Sequence, residues 1–206
     1  MQQTLSENIK NIVLNCYNNE KKVFHISPKK NTNSKYLYVI KNSELNFTFY
    51  INNENTDIEC YFLIPAIINQ NVILNIDTSF TSKSTKAIIN VIALWSDNSS
   101  ITLNGNIHIW KNLDNVEARL YEETLLLWDA KYISLIPSLR VDSPDVIASH
   151  GSKIQRISQE RIFYMQSRWL NKDKAIDMII DSYSQQIIEK FQLNENEKSE
   201  FYSMLK

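Results

Sequence analysis

An all-β body with a helical C-terminal tail is the architecture this sequence predicts, and three observations predict it. Between about residues 23 and 128, short runs rich in Ile, Val, Tyr, Phe and Leu alternate with clusters of Asn, Ser, Asp and Lys, with no helical period. Some of these runs alternate strictly, as in Ile101-Thr102-Leu103-Asn104 and Gly105-Asn106-Ile107-His108-Ile109, which is the pattern of strands with one buried and one wet face. After Gly151 the apolar spacing changes to three and four, the spacing of helices.

At the N-terminus, Leu5, Ile9, Ile12 and Val13 fall near a helical period, so residues 1–20 are expected to begin as a short helix that Asn15 to Asn19 stop early. Strands are then expected over 36–40, 45–51, 58–64, 72–76, 87–94, 101–110 and 118–128. A sandwich, a barrel and a β-solenoid all satisfy this pattern, and no exact repeat selects among them. In the tail, Ser158 is a good N-cap with Glu160 in the first turn, and Ile162, Phe163, Met165 and Trp169 form an apolar stripe. Asn171 caps a second helix carrying Ile176, Ile179, Ile180, Tyr183, Ile187 and Phe191, and residues 194–206 suit a third. The expected organisation is an N-terminal segment (1–22), a β core (23–155) and a helical domain (156–206).

The chain has 206 residues, enough for one self-sufficient core, with 43% hydrophobic and 22% charged residues. Its net charge of −1 gives no electrostatic reason to expect nucleic acid, and Lys21-Lys22 and Lys29-Lys30 suit solvated loops. No apolar run reaches membrane-spanning length and no secretory signal is recognisable, so no membrane partner and a cytoplasmic location are expected. Cys16 and Cys60 make neither a metal spacing nor a disulfide framework. Cys60, between Glu59 and Tyr61, is expected to be packing.

Glycine is equally scarce, with only Gly105 and Gly151 in the chain. A P-loop, a dinucleotide-binding G-x-G-x-x-G and a G-x-S-x-G elbow cannot be written with these two, and His25, His108 and His150 form no H-E-x-x-H. Signatures of an NTPase, a Rossmann oxidoreductase, an α/β hydrolase or a zincin are therefore missing. Gly151 directly follows His150 and precedes the helical tail, so a backbone bend at positive φ is expected there. That makes His150 the first candidate functional residue. Asp145, after Pro144, is expected to set a turn.

From Gly105 onward the residues resemble the SufB/SufD family. The matching segments are Gly105-Asn106-Ile107-His108-Ile109, Glu122 to Trp128 with its leucine triplet, Pro137-Ser138-Leu139-Arg140-Val141, Asp145-Val146-Ile147-Ala148-Ser149-His150-Gly151, and Ile162-Phe163-Tyr164-Met165-Gln166-Ser167-Arg168. The resemblance implies a right-handed parallel β-helix with a C-terminal α-helical appendix, and a scaffold role, without catalysis of its own, in iron–sulfur cluster assembly. It implies pairing through the terminal β-helix strands with a SufB-like subunit or a second copy, and docking of a SufC-like ABC ATPase through the helices. Gly151 in place of glutamate resembles the SufD type. His150 would then supply a cluster ligand or proton acceptor at the subunit interface, making it the tentative metal residue, with a transient cluster there and no cofactor held tightly by this chain alone. Arg168 is expected to pair with a carboxylate or cap carbonyls, and with Lys172, Asp173, Asp177 and Asp181 to form the docking face. Trp169 stands where the family pattern has glycine, so the bend between the helices is expected to differ. The alternative is a β-rich interaction module that keeps the fold without the cluster chemistry.

Overall fold

In the computed structural model, which describes residues 11–95, 97–127 and 131–205, eleven strands precede three helices. The strands are β1 (Asn11–Asn18), β2 (Lys21–Ile26), β3 (Asn33–Lys41), β4 (Glu44–Ile51), β5 (Thr56–Ile64), β6 (Asn71–Phe80), β7 (Thr85–Trp95), β8 (Ser100–Ile109), β9 (Asp114–Leu126), β10 (Tyr132–Val141) and β11 (Asp145–Arg156). Odd strands form one parallel sheet in the order β1-β3-β5-β7-β9-β11, and even strands form the second in the order β10-β8-β6-β4-β2. The chain thus winds between two facing sheets, adding one strand to each per turn. This is a parallel β-solenoid.

Inward positions stack in columns from turn to turn. One column runs Val13, Tyr36, Cys60, Ile89, Leu120, His150, and the next runs Asn15, Tyr38, Phe62, Val91, Glu122, Ser152. Phe47, Phe49, Phe62, Phe80 and Trp95, all fully buried, fill the space between the sheets. Early turns are packed by aromatic rings, including Phe24 stacked on Phe47 with centroids 4.6 Å apart.

Turns between the sheets are held by asparagine. Asn19, Asn31, Asn42, Asn55, Asn69, Asn98, Asn112 and Asn115 all have positive φ, a conformation asparagine tolerates better than other side chains bearing a Cβ. Their amides pair along the solenoid axis, Asn42 with Asn19 across 23 residues, Asn55 with Asn31 across 24, and Asn98 with Asn69 across 29. A second ladder, Asn46, Asn75 and Asn104, lines the outer face of the even sheet. Asparagine here does the work that glycine does in many turns, which is how so glycine-poor a chain forms so many corners.

The helices α1 (Gln159–Gln166), α2 (Lys172–Phe191) and α3 (Glu195–Leu205) cover the outer face of the odd sheet. Leu37, Val39, Tyr61, Leu63, Leu94, Leu125 and Leu127 face Ile176, Ile179, Ile187, Ile188, Phe191 and Phe201 in a second core. Strands buried on both faces lose the polar half of their alternation. This explains Tyr61-Phe62-Leu63-Ile64 and the leucine triplet, in which Leu126 points into the solenoid while Leu125 and Leu127 meet the helices. Glu59, bonded to both Lys35 (3.0 Å) and Lys190 of α2 (3.2 Å), ties the tail to the sheet.

Four expectations are corrected. The stretch expected as helix is strand from Asn11, because Tyr17 packs on Phe24 and Tyr38 inside the first turn; residues 1–10, with Leu5 and Ile9, lie outside the described residues, as does Trp128. Gly151 makes no bend: it continues β11 beside Tyr121, and no glycine has positive φ. Trp169 itself takes the left-handed conformation expected only of glycine, φ 66°, with its N–H on the Gln166 carbonyl. The apolar stripe of α1 is only half used, since Ile162 and Met165 pack on the second core while Phe163 is 72% and Trp169 100% exposed.

Candidate functional site

The last turn of the solenoid presents an open end. Strands β10 and β11 each have a neighbour on one side only, so one edge of each carries backbone N–H and C=O groups without a sheet partner. Beneath them the interior continues upward as half-buried apolar side chains: Ile133, Leu135 and Leu139 from β10, Val146 and Ala148 from β11. Even outward positions turn apolar in this turn. The Asn46, Asn75, Asn104 ladder ends at Ile136 (58% exposed), and the outward column Asp57, Lys86, Glu117 ends at Ile147 (59% exposed).

His150 sits in this turn at an inward position directly above Leu120, and it is exposed because no further turn covers it. Its column holds Cys60 as well, but Ile89 and Leu120 intervene, which at sheet spacing is about 14 Å. Burial pushes the Cys60 thiol well above its ordinary value, so it is a packed thiol rather than a thiolate. Cys16 lies on the opposite, helix-facing side of β1, its thiol also raised by burial. No group of three or more His, Cys, Asp or Glu that could hold a metal occurs among the described residues. His150 is therefore a single imidazole on an apolar platform, and further ligands for an iron–sulfur unit would have to come from another chain.

One turn beneath the rim lies a residue that the sequence reading left unremarked. Glu122, directly below Ser152, is 2% exposed, and neither carboxyl oxygen has a protein partner. Burial pushes its pKa up to about 7. The neighbouring inward Thr124 hydroxyl is likewise without a protein partner. Room for this carboxyl comes from Gly105: a Cβ there would stand 2.2 Å from Leu120 Cδ2 and 2.7 Å from Glu122 Oε1. The signal was available in the alternation, since Val116, Ala118, Leu120, Glu122 and Thr124 share one parity.

The remaining candidates lie elsewhere. Lys172, Asp173, Asp177 and Asp181 are exposed on α2, away from the column that carries His150. The Arg168 guanidinium lies over the Tyr164 ring, 4.8 Å from its centroid, with Trp169 next to it and Phe163 and Met178 also exposed. Asp145 is the first residue of β11, at a register shift, and the bend falls on Pro144 before it, so the turn expected at Asp145 lies one residue earlier.

Comparison with known proteins places these features in a family. The model of the SUF system FeS cluster assembly SufBD core domain matches residues 15–183. The chain is 30% identical over 94 residues to the iron–sulfur cluster assembly protein SufD of Escherichia coli K12, covering 46% of this chain and 22% of that protein. It is 36% identical over 76 residues to a SufBD family protein of Archaeoglobus fulgidus, covering 37% and 21%. It is 22% identical over 80 residues to SufB of Bacillus subtilis, covering 39% and 17%. Each match thus spans about a fifth of the relative's length.

Proposed function

The chain belongs to the SufBD core family of the SUF iron–sulfur cluster assembly system, and from that premise we propose that it acts as a SufD-like scaffold subunit without catalysis of its own. In this reading the open end of the solenoid pairs with a SufB-like subunit or a second copy, and a cytoplasmic complex assembles the cluster at that seam. The observation that carries the proposal is His150 at the exposed head of an inward column, between two strands whose edges are unpaired. Strand addition satisfies such edges and covers the apolar rim of Ile136 and Ile147. It also lowers the polarity around His150, where an imidazole beside a partner's thiolates suits iron.

The helical tail is proposed to dock a SufC-like ABC ATPase. Phe163, Tyr164, Trp169 and Met178 offer apolar anchors, flanked by Arg168, Lys172, Asp173, Asp177 and Asp181 as a charged rim. The cluster is cargo, assembled between chains and passed on, so no tightly held cofactor is assigned to this chain. Nor is a nucleic-acid or membrane partner.

The test is anaerobic reconstitution with iron and sulfide in the presence of a SufB-like subunit, comparing the chain with its His150→Ala variant. The proposal expects the two variants to form equal amounts of complex and the alanine variant to hold less cluster. Equal cluster content removes the ligand role and leaves the second reading, an interaction module that kept the fold without the chemistry. That reading is favoured by the absence of any thiol beside His150, with Ala148 two residues before it on the same inward face. Failure to co-purify with the ATPase, or docking unaffected by Trp169→Ala with Phe163→Ala, would refute the tail assignment.

A further inference from the structure

We infer that the solenoid interior binds a water molecule one turn beneath the open end, bridging the carboxyl group of Glu122 and the hydroxyl of Thr124. This site stands apart from the cluster-assembly reading and is defined by where the polar groups of the core lie. Glu122 (2% exposed) and Thr124 (0%) are successive inward residues of β9, and their side-chain oxygens have no hydrogen-bond partner in the protein. Polar groups buried in a core are nearly always bonded, and where the protein supplies no partner an internal water does.

The spacing suits one water. Inward positions two apart on a strand have Cα atoms about 6.6 Å apart. The two side chains make no direct bond, and two hydrogen bonds of about 2.8 Å in series cover a gap of that order. Such a water donates to the carboxyl and either donates to or accepts from the threonine hydroxyl. The indole N–H of Trp95 offers a third partner: Trp95 is inward and fully buried on the neighbouring strand, in register with Leu126 and so one inward position beyond Thr124, and its nitrogen is also without a protein partner. An acceptor, a hydroxyl and a donor supply the two to four contacts that an internal water requires.

Room comes from the smallest residues nearby. Ala93 lies directly beneath Thr124, and Gly105 faces Glu122, whose Oε1 is 2.7 Å from the place a Cβ would take. A metal ion fits less well, since no group of three or more His, Cys, Asp or Glu that could hold one occurs among the described residues. Thr78 provides the contrast within the same core. Its hydroxyl is buried and without a partner too, but Ile76 and Phe80 flank it along β6, and Phe49 and Ile107 hold the matching positions of the adjacent strands. A water beside Thr78 would have no second polar side chain to bond.

Oxygen-17 relaxation dispersion of the full chain at pH 5 counts the water molecules held for longer than molecular tumbling, and it is blind to exchange of the carboxyl and hydroxyl hydrogens. The parent should hold at least one more long-lived water than a variant carrying Glu122→Met and Thr124→Val, which places apolar groups of similar shape at both positions. An equal count in that variant, folded by circular dichroism, overturns the inference. Urea unfolding of single variants gives a second answer that does not depend on the double variant folding. Thr124→Val should lower the midpoint because it strips the water of a partner, whereas Thr78→Val should not, because it replaces a hydroxyl that bonds nothing by a methyl group. If Thr124→Val raises the midpoint, or shifts it as Thr78→Val does, the Thr124 hydroxyl is dry and the site does not exist.

Discussion

Replacing Glu122 by glutamine should make this protein more stable at neutral and alkaline pH, with a gain that fades as pH falls toward 4.5. The carboxyl is enclosed by Leu120, Val91, Ser152 and Gly105, with no cation among its column neighbours and no hydrogen-bond partner in the protein for either oxygen. Burial holds it at about 7 instead of 4.5. That difference corresponds to about 3 kcal/mol of native-state penalty on the charged form. Because the folded value lies above the unfolded one, the penalty is absent below about pH 4.5, grows between about 4.5 and 7, and is level above 7. Glutamine keeps the shape and cannot ionise, so at pH 5 the variant should gain no more than about 1 kcal/mol over the parent in urea unfolding, whereas at pH 8 it should gain about 3 kcal/mol. Contributions of His25, His108 and His150 cancel in the comparison, which isolates the one carboxyl. A stability difference that stays constant from pH 5 to pH 8.5 would show that Glu122 is not a solitary buried acid and would refute the reasoning.

Three further outcomes follow from the same packing. Gly105→Ala should destabilise by about 1–3 kcal/mol, since its methyl meets Leu120 at 2.2 Å, and Leu120→Val in the same chain should recover part of the loss in chemical denaturation. Asn98→Ala removes both the amide bond to Asn69 and a side chain tolerant of φ 53°, so thermal melting should show a loss of about 1–2 kcal/mol, whereas Asn98→Gly should lose less; equal losses would mean the conformation does not matter. Trp169→Gly should leave stability within about 1 kcal/mol, because the ring buries nothing and glycine takes φ 66° without strain, and a larger loss by circular dichroism melting would place the indole in a packed environment.

Much of the fold was legible because its rules are local. The caps Ser158 and Asn171 accept from Arg161 N (3.1 Å) and Lys174 N (2.8 Å) where the sequence placed them, and Ile176, Ile179, Ile187 and Phe191 form the buried stripe of α2. Strict alternation identified β8 and its neighbours. What the residues alone left open, the choice of a solenoid over a sandwich or barrel, was obscured by rungs of unequal length. The asparagine pairs are separated by 23 or 24 residues in early turns and 29 in later ones, so a search for a fixed period finds none. The signal lay in the asparagines themselves, which recur at corners as the left-handed residues of a chain with almost no glycine. The helical spacing that ends at Ile12 and Val13 misled for another reason: the aromatic packing that holds Tyr17 in a strand comes from residues 24, 38 and 47, which local periodicity cannot register.

The candidate site was legible only in part, because parity assigns a side chain to the inside of a solenoid without saying whether another turn lies above it. His150 and Leu120 occupy the same column, yet one is solvent-exposed and the other is fully buried, and the difference is their place in the stack. The same argument separates Glu122 from Ser152. An inward polar residue in the final turn keeps its water, whereas one turn lower it loses water and has to remain neutral or find a partner. If a second solenoid covers the open end, His150 and Ser152 pass from the first condition toward the second. Capping the end should therefore remove His150 from solvent. The rate at which diethyl pyrocarbonate modifies His150, compared by mass spectrometry in the free chain and in complex with a SufB-like subunit, measures that change, and an unchanged rate would mean the imidazole remains outside the seam.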